Sequence, residues 1–411
     1  MSFNEDLFEF DNEELSNPTQ IKVIGVGGGG NNAITRMKEL GIRGVEFLAV
    51  NTDAQDLQNA TCDQRIQIGE KITGGLGSGA QPKVGLKSAQ ESRDKIKEAL
   101  QDTDLLFVTA GMGGGTGTGA SPVIADLAKE LDILTVGVVT RPFDFEGKKR
   151  QKKAQAGIKS LREVVDTLII VPNERIFDVI GDEDVSIQDA FKKADEVLFH
   201  GVHGISGVIM EEGLMNLDFA DVRTVMAEQG DALMGIGEAS GEDAAINAAE
   251  RALDCPLLET NEITGARGLL INISGGENLP ANALKQVSEL VNSRASEDAE
   301  VIVGTATNSD LGDTIRVTVI ATGFPKGQEA TETPAASKSS SSTQEGTKDN
   351  VIDYGNINNN KQLREQPALD RKNNGGEVEI VDSNPEPQAE ETQEDPVEDD
   401  DFDVPTFIRV S

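Results

Sequence analysis

The chain has 411 residues, 37% apolar, with 72 acidic and 37 basic side chains and a net charge of −35. That length admits two ordinary domains with chain to spare, and that charge argues against DNA, RNA or anionic lipid as the main partner, because phosphate recognition runs on Lys and Arg. The densest basic run is Lys148, Lys149, Arg150, Lys152 and Lys153, and the two cysteines, Cys62 and Cys255, have neither disulfide-framework nor metal-ligand spacing, which suits a reducing compartment.

In chain order, residues 1–19 read as a flexible acidic extension without the basic-then-apolar order of a signal peptide. Ile21–Val26 is predicted as a buried strand, Asn31–Leu40 as a helix, Phe47–Val50 as a strand and Val84–Leu100 as a polar-faced helix. Leu105–Ala110 (strand), Ala120–Leu131 (helix), Ile133–Val139 (strand), Gln151–Val165 (helix) and Leu168–Val171 (strand) continue the alternation. Continuous apolar strands separated by helices indicate a doubly wound parallel sheet covered on both faces, in an α/β domain over 20–185. A long central helix is expected over 186–210. A second α/β domain, 211–325, contains Ala244–Leu253, Leu269–Ile273, Ala281–Asn292, Val301–Thr305 and Ile315–Ala321. Composition changes near residue 326. Residues 330–411 carry 19 acidic and 7 basic side chains, a net of −12. The segment 326–398 therefore reads as a disordered, self-repelling linker. Residues 399–411 end it with an apolar-aromatic knot around Pro405, Phe407 and Ile408, read as a partner-docking peptide. No apolar run approaches the ~18 residues of a membrane span.

Three glycine-rich loops fall in the first domain: Gly25 to Asn32, Gly74 to Ala80, and Gly113, Gly114, Gly115, Thr116, Gly117, Thr118 and Gly119. Glycine lets backbone N–H groups approach an anion, and a helix N-terminus behind the loop adds its dipole. Gly25, Gly27 and Gly30 satisfy G-x-G-x-x-G, and Asp53 closes the next strand, so the first loop taken alone is also compatible with a dinucleotide-binding oxidoreductase. Several loops aimed at one crevice suit a triphosphate better than a pyrophosphate, and the P-loop pattern G-x-x-x-x-G-K-[ST] is absent.

The run Gly113–Gly119 resembles the signature of the tubulin/FtsZ family. Pro142 to Arg150 resembles that family's sugar- and phosphate-contacting segment, Gly213 to Arg223 its synergy loop, and Asp403 to Arg409 its C-terminal docking peptide. The resemblance covers about residues 20–324 and the last ten. It implies a tubulin-like GTPase fold binding GTP or GDP with Mg²⁺. Gly28, Gly29, Gly30, Asn31, Asn32 and Ala33 would bind phosphates with the third loop. Glu146 and Arg150 would contact the ribose-phosphate region, and Asn173 and Asp195 would recognise guanine with Phe191 stacked on the base. Asn216, Asp218 and Asp221 would enter the nucleotide site of the next subunit, where the carboxylates position the attacking water and help hold the cation. The direct metal ligands stay unassigned. Read from the residues alone, Asp218 and Asp221 fit helix capping better than a catalytic role, and only the resemblance reverses this. His200 and His203, spaced i, i+3, fit ordinary helix positions better than a metal site. By resemblance the chain forms head-to-tail filaments at the division site on the inner face of the membrane, reaching tethering adaptors through its tail. Plasmid-segregating or shape-determining relatives are the alternative.

Overall fold

The computed structural model describes residues 19–180, 185–210, 217–227, 230–257, 263, 265–276 and 279–324. The expectations for residues 1–18, for the linker and for the end peptide lie outside the described residues, as does Asn216.

The first half runs β1 (Ile21–Val26), α1 (Gly27–Glu39), β2 (Val45–Asn51), α2 (Ala54–Asn59), β3 (Gln64–Gln67), α3 (Glu70–Thr73), α4 (Pro82–Glu91), α5 (Arg93–Ala99), β4 (Leu105–Gly111), α6 (Thr116–Glu130), β5 (Leu134–Arg141), α7 (Lys148–Arg162), β6 (Thr167–Pro172) and α8 (Glu174–Ile180). The long helix α9 (Ile187–Met210) follows, then α10 (Phe219–Met226), β7 (Gly230–Ser240), α11 (Ala244–Leu253), β8 (Gly268–Gly275), α12 (Ala281–Arg294), β9 (Glu300–Thr307) and β10 (Thr314–Thr322).

The ten strands of the described residues lie in one sheet, in the order β3-β2-β1-β4-β5-β6-β7-β10-β8-β9. It is parallel from β3 to β7, while β10 runs antiparallel to both β7 and β8, and β9 pairs parallel with β8. Alternate residues of β1 and β4 face opposite sides. Val23 and Phe107 enter one core with α1 and α9, and Ile24 and Val108 enter the other with α6 and α7, as the two-residue period of a strand requires. The helix α9 is buried around much of its circumference, through Val197, Leu198, Val202, Ile205 and Val208. The two α/β sets are joined by more than this helix: β6 pairs with β7 from Thr167 to Ile169, so the sheet itself crosses between them. Strand order reverses at β1, which has β2 on one side and β4 on the other. In an open parallel sheet that switch point leaves a crevice at the strands' carboxyl ends.

Candidate functional site

Two helices open directly into the crevice. Helix α1 starts at Gly27, immediately after β1, and α6 starts at Thr116, just after β4. Neither has a side-chain N-cap nor an acidic residue in its first turn. The first-turn N–H groups of both are therefore unsatisfied, and each helix end carries roughly half a positive charge. The arrangement is a cradle for an anion. Gly27 has φ +71°, and a Cβ there would stand 2.8 Å from the Gly117 nitrogen, so the first and third loops touch backbone to backbone. Gly28, Gly29 and Asn32 are exposed, whereas the Ala33 methyl is in the core, which leaves only its backbone to face a ligand. Asn31 is buried, and both atoms of its amide lack a partner. A buried amide with no protein partner calls for an explanation, and a bound ligand supplies one.

The threonines of the third loop are engaged with the protein itself. Thr116 Oγ1 lies 2.6 Å from Thr52 Oγ1 and 3.1 Å from Ser78 Oγ, which links the end of β2 and the second glycine loop to the start of α6. Thr118 Oγ1 accepts from the Gly113 N–H at 2.9 Å. The donors free to meet an anion are thus chiefly backbone N–H groups. Neither Thr52 nor Ser78 was legible as part of the site, since a single hydroxyl carries no periodic signal.

Along the rim, Glu146 accepts from the Phe143 N–H at 2.9 Å and pairs with Arg150 Nε at 3.0 Å. Arg150 in turn packs on the third loop at Gly113, whose φ of +98° and proximity to the Arg150 carbonyl exclude a side chain. Asn173 follows β6, donates its N–H to the Arg141 carbonyl at 3.1 Å, and keeps a buried amide oxygen without a partner. Phe191, 40% exposed, stands edge-on to the buried Phe143 with centroids 5.2 Å apart. Asp195 lies one helical turn further along α9, on the same face. Burial pushes its carboxyl pKa up to about 7, Arg36 on α1 draws it down and Glu196 adds to the rise. The two glycine loops, the Glu146–Arg150 pair, Asn173, Phe191 and Asp195 all border the carboxyl edge of the parallel strands.

Asp218 and Asp221 do not. Asp218 caps α10 by accepting from the Asp221 N–H at 2.8 Å, so the capping role is realised. Both side chains are exposed. From Phe191 to Met210, α9 rises about 28 Å at 1.5 Å per residue, and Met210 packs on Gly44, just before β2 begins. The Leu217 N–H donates to the Val208 carbonyl at 3.4 Å, and Arg223 reaches Asp132, just before β5 begins, at 3.3 Å. The two carboxylates therefore sit at the edge where the parallel strands start, opposite the crevice.

Asp53 is spent differently from what the dinucleotide alternative requires. Its carboxylate caps α2 by accepting from the Gln55 and Asp56 N–H groups at 3.0 and 3.2 Å. His203 is buried in α9 and His200 half-buried, and desolvation of the rings lowers their pKa values to about 4 and about 3. Among the described residues, no group of three or more His, Cys, Asp or Glu side chains gathers to hold a metal, and no helix is long and apolar enough to cross a membrane.

Residues 20–181 match the tubulin/FtsZ family, GTPase domain, and residues 230–325 match the FtsZ family, C-terminal domain. An empty FtsZ dimer from M. jannaschii is 45% identical with a TM-score of 0.72, over 75% of this chain and 89% of that one. A mutant of the same FtsZ gives the same identity and score and is covered over 92% of its length. CetZ1 from Haloferax volcanii, a GDP-bound monomer, shares the fold with 21% identity and a TM-score of 0.63, over 75% of this chain and 95% of that one.

Proposed function

This chain belongs to the tubulin/FtsZ family and is a GTPase that binds GTP and GDP, and from that premise we propose that it assembles head-to-tail and hydrolyses GTP at a site shared between consecutive subunits. The observation that carries the proposal is the separation of the two halves of the chemistry. The cradle, Glu146–Arg150 and Asp195 border one edge of the parallel strands, while Asp218 and Asp221 lie at the other. Within one subunit these carboxylates cannot reach a nucleotide in its own crevice. In a head-to-tail pair, the α10 edge of one copy meets the crevice edge of the next. Such a contact is heterologous and does not close, so it propagates into a filament.

In this reading the backbone N–H groups of Gly28–Gly30 and Gly113–Gly119 hold the phosphates, together with the Asn31 amide. Asp195 and Asn173 recognise guanine, against the exposed Phe191 ring. From the next subunit, Asp218 and Asp221, with Asn216, position the attacking water. The donor set fits Mg²⁺ held mostly by phosphate oxygens and water with one or two carboxylates, since the described residues offer no cage of their own. Catalysis is then positioning and charge stabilisation. We further assign the filament to the cell-division ring in the cytoplasm. The identity to FtsZ is about twice that to the CetZ relative, and the apolar end peptide around Phe407 suits the groove of a tethering adaptor.

The test is GTP turnover per subunit measured across protein concentration with Mg²⁺. Turnover is expected near zero when dilute, rising above a threshold. Turnover that stays flat with dilution would mean a self-contained site. Asp221→Ala is expected to bind GTP and assemble but to hydrolyse slowly, and loss of GTP binding in that variant would count against the shared site.

A further inference from the structure

The helix that carries Asp218 and Asp221 is short, and its far end is held in an unusual way. Helix α10 stops at Met226, so the carbonyls of its last turn have no intrahelical N–H to accept from. Two of them are met by buried threonine hydroxyls from the two halves of the molecule. Thr167, the first residue of β6, donates its hydroxyl to the Met226 carbonyl. Thr322, the last residue of β10, donates to the Val225 carbonyl at 3.0 Å. Thr167 is fully buried and Thr322 nearly so, as are Val225 and Met226, so water is not there to replace either hydroxyl. On the solvent side, Arg223 is tied to Asp132. The helix is thus clamped from the β6 side and from the β10 side at once, eight residues or fewer from both carboxylates.

We propose that Thr167 and Thr322 are positioning residues for GTP hydrolysis, fixing α10 so that Asp218 and Asp221 are presented at one height and angle to the nucleotide of the adjoining subunit. The proposal rests on the shared-site reading above. A helix of this length moves as a rigid unit, so a change of seating at Val225 and Met226 is carried to Asp218 at its other end. Catalysis that depends on placement is sensitive to such shifts: a displacement of about 1 Å can lower a rate by about a hundredfold. Neither threonine touches the crevice of its own subunit. Their removal should therefore spare nucleotide binding and act only on the rate that the filament supports.

The experiment compares Thr167→Val, Thr322→Val, Thr167→Ser and Thr322→Ser with the parent in the full-length chain. It records GDP affinity, sedimentable polymer, thermal midpoint and GTP turnover per assembled subunit. Valine keeps the shape and removes the donor, while serine keeps the donor. The expected result is unchanged GDP affinity, a loss of turnover per assembled subunit of roughly tenfold or more in each valine variant, and recovery in the serine variants. If a valine variant assembles too poorly, the test moves to copolymers with excess parent, where the expected turnover per assembled subunit falls with the variant's share. Valine variants that turn over GTP at the parental rate per assembled subunit would overturn the proposal, as would a loss that serine does not restore. Asp221→Ala is run alongside. If it stays slow while the valine variants are normal, only the threonine assignment fails. If it hydrolyses at the parental rate, the shared-site reading fails and this proposal falls with it.

Discussion

In the nucleotide-free chain, burial holds the Asp195 proton up to about pH 7, with Arg36 pulling against it and Glu196 reinforcing it. In the proposed site, guanine offers Asp195 a ring N–H and an exocyclic amine, both donors, and so needs the ionised carboxylate as acceptor. Binding at acid pH must therefore expel a proton. GDP affinity is expected to be flat above about pH 7.5 and to weaken below pH 7, approaching tenfold per pH unit. Asp195→Asn should weaken binding and remove the slope, and a titration of GDP affinity from pH 5.5 to 8 checks both. The same group shapes stability with the opposite sense. Because the folded chain binds this proton more tightly than the unfolded one, its contribution to stability declines as pH rises from about 4 to about 7 and is constant beyond. The remaining polar groups of the cradle act at fixed charge. The unpartnered Asn31 amide, the Asn173 amide oxygen and the uncapped N-termini of α1 and α6 do not titrate, so what they contribute to the proposed site is the same at every pH.

At the scale of elements, α9 carries a half-buried His200 and a buried His203, with pKa values lowered to about 3 and about 4 by desolvation and by the nearby Arg316. The unfolded chain takes up protons on them near pH 6.5 while the folded chain refuses, so the stability they confer is complete above about pH 6.5 and is lost as pH falls toward 4 and 3. Asp56, Asp166 and Asp195, raised by burial, push the other way. A comparison with His203→Phe isolates the histidine, because its ring already stacks on Phe199 at 5.2 Å. Between pH 6.5 and 5 the variant should lose about 2 kcal/mol less unfolding free energy than the parent, one proton over that interval at about 1.4 kcal/mol per pH unit, measured by chemical denaturation. Elements were legible where side chains advertised a period. The bounds of β1 and α11 agree with the sequence reading. Helices α1 and α6 begin four residues earlier than read, because Gly27–Gly30 and Thr116–Gly119 have too little side chain to show a helical stripe. The single helix read over Val84–Leu100 is two, α4 and α5, broken at Ser92, whose hydroxyl accepts from the Gly69 N–H at 3.1 Å. Strand β7 was missed because its glycines and acids hide the alternation. Gly237 is required there since a Cβ would meet the Ala248 carbonyl of α11 at 2.0 Å. The cradle was legible from glycine spacing. Asn173, Phe191, Asp195 and Asp218 were legible only through family resemblance, being ordinary residue types at long sequence distance from the loops.

For the molecule as a whole, assembly must bring together copies that each carry −35. Residues 330–411 hold −12 of that, leaving −23 on residues 1–329. Two electrostatic effects then compete at the proposed head-to-tail contact. Locally, the basic start of α7, with Lys148, Lys149 and Lys152 exposed at the crevice rim, would face the acidic Asp218 and Asp221 of the arriving copy. Exposed pairs of this kind are worth about 0–1 kcal/mol each. Against them stands repulsion summed over every charge within a screening length, which is about 30 Å at 0.01 M salt and about 10 Å at 0.1 M. At the lower salt that length is comparable to the ~28 Å course of α9 between the two edges of the sheet, so charges across much of each subunit contribute. The long-range term therefore dominates when salt is low. The threshold concentration for GTP turnover should fall several-fold between 0.01 and 0.1 M monovalent salt and change little above it, with a weaker dependence in a chain ending at residue 329. A threshold that climbs steadily with salt would instead mean that a few rim ion pairs, rather than net charge, govern association.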